Sequence, residues 1–365
     1  MERTGINVIH FEIGDPDFNT PPNITHAACK ALLAGETHYT DSKGVYELRE
    51  VIVDYCERSR GFRPDISQVV VTTGANSLIY YTIQCLADPG DEVIYPDPSF
   101  PSYKSAINLC NAVGVPVPLR EENGFSMRAS DVEDLISEKT KLVIMNSPHN
   151  PTGAITEKND IKEIAELCNS KGIYLYSDEI YYRMAYDKGN VWSPGNLDGC
   201  KTNTIIATGL SKPFAMTGWR VGFGIMPSKL VEKFGLLTET IVSCVPKFIQ
   251  TAAIEALMNS ESAIEEMVSV YKKRRDLLVN GINNIKGMTC LTPAGSFYAY
   301  ANIKDLRISS REFSKKMLEQ GHVGLLPGTD FGDTGEGYIR LVFAIAEDEI
   351  KEGVERIRQV VESIR

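Results

Sequence analysis

The sequence runs to 365 residues, 43% hydrophobic and 24% charged, values of an ordered globular chain long enough for two domains. Its 48 acidic residues outnumber 38 basic ones, a formal net charge of −10, which argues against nucleic acid as the main partner. No apolar run approaches the roughly 18 residues of a membrane span, and the opening MERTGINVIHFEIGDPDF has no signal-peptide pattern, so the expected location is cytoplasmic, with no membrane partner.

The eight cysteines are scattered with no C-x-x-C pair, and the five histidines are equally isolated. Neither a metal site nor a disulfide framework is expected. The one basic run, YKKRRDLL, follows the acidic ESAIEEM and reads as a solvated helix face.

In chain order, from about residue 65, short β-rich runs alternate with helical patterns. QVVVTTG precedes ANSLIYYTIQCLAD, DEVIYPD precedes SFPSYKSAINLC, and AVGVPVPL follows. A helical DVEDLISEKT then leads to KLVIMNSP, EKNDIKEIAELCNSKG, IYLYSDEI, TNTIIATG and RVGFGIMP. Uninterrupted apolar strands imply burial on both faces, and helical crossovers imply parallel pairing. The expected unit is an α/β domain with a mostly parallel sheet and one antiparallel member. After about residue 265 a long charged helix, then GMTCLTPAGSFYAYANI, a further helix and a final amphipathic helix give an α+β pattern. The expected division is a large domain over 20–265 and a small one from 1–19 with 266–365.

Open parallel sheets bind ligands at the carboxyl ends of their strands, so the polar strand endings are the places to look for chemistry. ATGLSKPFAMTGWRVGFG sets Lys212 among small and apolar residues, with Arg220 eight positions on. Such surroundings depress a lysine pKa and free a nucleophilic amine. Asp178 ends the apolar run YLYSD and needs a cationic partner in the same crevice, either a structural ion pair or a ligand. Tyr181 lies three positions on, and Asn150 in NSPHNPTG offers an amide at a neighbouring strand end. Gly74, Ala75 and Asn76 open a helix whose free N–H groups suit an anion. Phe100 and Tyr103 supply flat rings for core packing or for stacking on a heteroaromatic ligand. An amine, a buried carboxylate, neutral donors, an anion nest with a cation, and a flat ring would all be used by one ligand: a phosphorylated pyridine aldehyde.

The stretches FEIGDPDFNTP, HYTDSKGVYELRE, VVVTTGANSL, NSPHNPTG, YLYSDEIYY, GLSKPFAMTGWRVGF and YIRLVFA occur in that order. Together they resemble the successive signatures of the fold type I pyridoxal-phosphate enzymes, specifically the class I/II aminotransferases related to aspartate aminotransferase. The resemblance implies a seven-stranded, mostly parallel sheet flanked by helices, plus a smaller α+β domain. It implies pyridoxal 5'-phosphate as cofactor and Lys212 as the Schiff-base lysine. Asp178 would pair with the pyridine nitrogen, and Asn150 and Tyr181 would hold the phenolic oxygen. Arg220, Ser211 and the backbone around Gly74, Ala75 and Asn76 would hold the phosphate, with Phe100 stacked on the ring. Arg340 would clamp the substrate α-carboxylate, with Gly14 letting that carboxylate approach the backbone. Tyr39 matches a tyrosine that reaches the neighbouring subunit's phosphate, which implies a homodimer.

The implied reaction moves the amino group of an L-amino acid to a 2-oxo acid, 2-oxoglutarate being the expected acceptor. A β-eliminating lyase on the same scaffold is the alternative. Two positions depart from the pattern: Gly209 stands where many members carry a phosphate-binding serine, and Asn76 where aspartate-specific members carry a lysine.

Overall fold

Seven strands form the larger sheet of the computed structural model, which describes residues 1–186 and 191–364. They are β1 (Val69–Thr72), β2 (Glu92–Asp97), β3 (Val113–Pro118), β4 (Thr140–Asn146), β5 (Tyr174–Asp178), β6 (Thr204–Gly209) and β7 (Gly222–Ile225). The spatial order is β1-β7-β6-β5-β4-β2-β3. β7 runs antiparallel to both its neighbours, and every other pairing is parallel. This is the expected sheet, with its one antiparallel member identified.

The apolar runs alternate between two buried faces, because successive strand residues point to opposite sides. In β1, Val69 and Val71 join a core with Ile52 and Cys56 of helix Tyr46–Arg60, whereas Val70 packs with Leu78 and Ile83 of helix Ala75–Leu86. In β4, Leu142 and Ile144 face the second of these cores, while Val143 and Met145 face Ile161 and Ile164 of helix Lys158–Lys171. A one-residue slip would exchange these sets and strand each against the wrong layer.

Four further strands form an antiparallel sheet: β8 (Thr289–Cys290), β9 (Tyr298–Asn302), β10 (Leu326–Pro327) and β11 (Tyr338–Val342), in the order β10-β11-β9-β8. Its Ala299, Ala301, Ile339 and Leu341 share a core with helices Glu261–Asn283 and Glu347–Ile364. Near the chain start, Ile9–His10 pairs in parallel with Val323–Gly324, and Ile9 and Phe11 enter that same core.

Two local expectations need correction. In DVEDLISEKT the helix is confined to Ala129–Glu133, because the Ser137 N–H donates to Thr140 Oγ1 at 2.9 Å and the turn replaces helical bonds. The basic run is also not wholly solvated. Arg275 is 3% exposed, donates to the Pro293 carbonyl at 3.0 Å and lies over the Tyr186 ring, while Arg274 pairs with Asp17 at 2.8 Å. Four consecutive residues go round one helical turn, which places Arg275 on the inward side. Among the described residues no helix is long and apolar enough to cross a membrane.

Candidate active site

The carboxyl ends of β1, β4, β5 and β6 open into a cavity of about 320 Å³, closed on the far side by Tyr298 of β9 and Arg340 of β11. Asp178 lies at its floor, 4% exposed. Its Oδ2 accepts from the Tyr103 hydroxyl at 2.7 Å and its Oδ1 from the Ile180 N–H at 3.1 Å. Burial pushes the carboxyl up to about 6, and those two hydrogen bonds hold it from going higher.

Among the described residues no basic side chain pairs with Asp178. The buried ion pair belongs to the next residue: Glu179 Oε2 lies 2.6 Å from Arg60 Nε. Ser193 Oγ donates to Glu179 Oε1 at 2.6 Å, and the Arg60 guanidinium sits 4.4 Å from the Tyr182 ring centre. Consecutive residues at a strand end face opposite ways, so Glu179 takes the internal cation and Asp178 is left for the cavity.

At the end of β4, the Asn146 amide donates to the Asp178 carbonyl at 3.0 Å and accepts the Asn150 N–H at 2.9 Å. Asn146 and Asp178 are register partners, so this cross-strand clamp fixes the turn that carries Asn150. Tyr181 is buried, with its hydroxyl 2.8 Å from that of Tyr298. Phe100 lines the cavity with its ring edge-on to Tyr103 at 5.8 Å.

Lys212 follows β6 and donates to the Gly14 carbonyl at 2.6 Å. Burial lowers its pKa to about 8; the charge of Asp15 opposes that shift, and Arg340 and Arg220 add to it. At neutral pH this amine is far closer to its nucleophilic form than an exposed lysine.

Helix Ala75–Leu86 begins at the cavity wall without a side-chain cap, so its first N–H groups are left for an anion. Asn76, Ser211 and Arg220 line the same end. Gly74 has φ 87°, a conformation that favours glycine, and a Cβ there would stand 2.5 Å from Arg220 Nη2 and push the guanidinium from its present place at the helix start. Arg220 Nη1 donates to the Thr217 carbonyl at 2.7 Å.

Arg340 is 6% exposed and held between two rings, 4.6 Å from the Tyr298 centre and 4.8 Å from that of Phe331. It donates to the Glu12 carbonyl at 2.6 Å and to Asn150 Oδ1 at 3.3 Å, while its Nε is buried with no partner among the described residues. A guanidinium left with a free, dry N–H suits a carboxylate.

Of the residues singled out from sequence, only Tyr39 stands apart: it is 86% exposed and lines a different cavity with Lys43 and Glu232. Sequence reasoning did not place Asn146 or Tyr298 in the site, and left Tyr103 as an aromatic of undecided use. The polar ending of KLVIMN was the available signal for Asn146; GSFYAYANI held none for Tyr298 beyond strand alternation.

The residues present fit pyridoxal phosphate. A carboxylate without a cation would receive a protonated pyridine, a helix start with Arg220 a phosphate, and a dry amine an aldehyde.

Comparison with known proteins agrees. The family model for "Aminotransferase class I and II" matches residues 6–357. An aspartate aminotransferase of Pyrococcus horikoshii is 39% identical over 98% of this chain and 91% of its own length. An aromatic-amino-acid aminotransferase of Thermococcus litoralis is 38% identical over 97% and 92%. The crystal structure of an aromatic aminotransferase from Pyrococcus horikoshii superimposes with a TM-score of 0.95 at 37% identity, covering 99% of this chain and 98% of the other. The chain therefore belongs to the class I and II aminotransferases, and is a pyridoxal-phosphate-dependent transaminase with the fold type I scaffold.

Proposed function

We propose that this cavity transfers the amino group of an L-amino acid to a 2-oxo acid, with Lys212 holding the cofactor covalently and 2-oxoglutarate as acceptor, the acceptor resting on the family resemblance. The observation that carries the reading is the convergence on one cavity of a desolvated amine, an unpaired buried carboxylate and a ring-sandwiched arginine with a free N–H.

When bound, pyridoxal phosphate supplies an electron sink for negative charge developing at the substrate Cα. Asp178, ionised, holds a proton on the pyridine nitrogen, which its lack of a cationic partner favours. Asn150 and Tyr181 donate to the phenolic oxygen. Arg220, Ser211 and the helix start at Gly74, Ala75 and Asn76 bind the phosphate, and Phe100 covers one ring face. Arg340 takes the substrate carboxylate, orienting the Cα–H toward Lys212. Gly14 leaves room there, since a Cβ on it would stand 2.5 Å from the Tyr298 hydroxyl. Lys212 Nζ then takes the Cα proton as general base and returns a proton as general acid. Tyr39, being exposed, is free to reach a second copy of the chain, and the assembly we propose is a homodimer.

The names of the relatives weigh against the β-eliminating alternative. The test is a screen of single amino acids against the yellow, cofactor-loaded protein. Bleaching of the visible band with one equivalent of 2-oxo acid formed is the expected result; no change with any common amino acid contradicts it. Pyruvate released without an acceptor would instead support elimination.

A further inference from the structure

Tyr298 stands where the two halves of the cavity meet. It opens β9, is 2% exposed, and lies diagonal to Arg340 across the antiparallel pairing that sets Tyr298 against Val342 and Tyr300 against Arg340. Its ring carries the Arg340 guanidinium at 4.6 Å, and its hydroxyl meets that of Tyr181 at 2.8 Å. The two phenol rings are edge-to-face, with centres 5.6 Å apart.

We propose that Tyr298 is a positioning residue with two separable parts: its ring seats Arg340, and its hydroxyl holds Tyr181 so that this phenol responds to charge at Arg340. The inference rests on the proposed roles of Arg340 as carboxylate clamp and of Tyr181 beside the cofactor's phenolic oxygen.

Two hydroxyls at this distance share one line of hydrogen bonding, so one donates and the other accepts. A cation over the face of Tyr298 draws electron density from the phenol and makes it the better donor. Tyr181, accepting from it, keeps its own proton for the cavity and becomes the stronger donor there. A carboxylate arriving at Arg340 offsets the cation, relaxes Tyr298, and weakens Tyr181 in turn. Substrate capture at one end of the cavity is thereby felt at the cofactor's oxygen through Tyr298 and Tyr181, in parallel with the hydrogen bond from Arg340 to Asn150. The hydroxyl also lies close against Gly14, where a Cβ would stand 2.5 Å from it.

The test is a pH titration of the visible band of the cofactor-loaded protein, with and without acetate as a probe that carries only a carboxylate. In the wild type, acetate shifts the midpoint upward, because a weaker Tyr181 donor lets the chromophore hold its proton more tightly. Tyr298→Phe keeps the ring and loses the hydroxyl. Its midpoint should start about one pH unit higher and move with acetate by less than half the wild-type shift. Its acetate affinity should stay within about twofold of wild type, whereas Tyr298→Leu, which loses the ring, should weaken acetate about tenfold. A Tyr298→Phe titration and acetate response that overlay those of the wild type overturn the coupling. Equal acetate affinity in the Phe and Leu variants overturns the seating of Arg340. A wild-type band that responds to neither pH nor acetate counts instead against the underlying roles of Lys212 and Arg340, and removes this inference with them.

Discussion

The environment of Asp178 predicts that the cofactor-free protein is destabilised by the group the reaction needs. Asp178→Asn keeps the shape, and its amide still accepts the Ile180 N–H and donates to the Tyr103 oxygen, but it carries no charge. The wild-type carboxyl has a pKa of about 6 when folded, against about 3.9 for an unfolded chain. Because the folded state binds this proton more tightly, the ionised group opposes folding fully above pH 6, and the penalty vanishes below about pH 4. Some two pKa units at 1.36 kcal/mol each give about 3 kcal/mol of added stability for the Asn variant at pH 8, shrinking to about 1.5 kcal/mol at pH 5. Urea denaturation of both cofactor-free proteins at the two pH values measures this gap. Equal stability at pH 8, or a gap that widens as pH falls, refutes the electrostatic reasoning. The same variant, having lost the partner for the pyridine nitrogen, should transaminate about a hundredfold more slowly or worse.

Other outcomes follow from neighbouring residues. The Lys212 amine, depressed to about 8 by burial, reacts when neutral, so cofactor-free protein should capture pyridoxal phosphate at a rate that rises through pH 8 and then levels; stopped-flow absorbance reads this, and a rise centred near 10 contradicts it. Arg340→Lys replaces a ring-sandwiched fork with a point charge and should raise the amino-acid KM roughly tenfold to a hundredfold, with a smaller change in kcat. Glu179→Gln strips the buried Arg60 of its counter-charge and should cost about 3 kcal/mol in denaturant titration. Pairing that change with Arg60→Met should recover part of the loss, and failure to recover any would mean that packing rather than charge dominates.

The large sheet was legible because runs such as Leu142–Met145 are apolar at every position, as strands covered on both faces require. Strand-end logic then located Asp178, Asn150 and Lys212, whose surroundings are set by nearby sequence. What remained hidden depends on distant partners. Tyr103 looks like any core aromatic until it meets a carboxylate 75 residues on, and Tyr298 comes from the other sheet, 117 residues from the hydroxyl it bonds. The adjacent Asp178 and Glu179 are two carboxylates in one apolar setting, and only the direction each takes at the strand end decides which is neutralised by Arg60. Likewise KKRR reads as one charged patch, although the helix turns Arg275 inward.

Borohydride reduction of the yellow protein, followed by peptide mapping, tests the central claim most directly. One pyridoxyl group per chain is expected, on the peptide containing Lys212. A label on another lysine, or none, would contradict it.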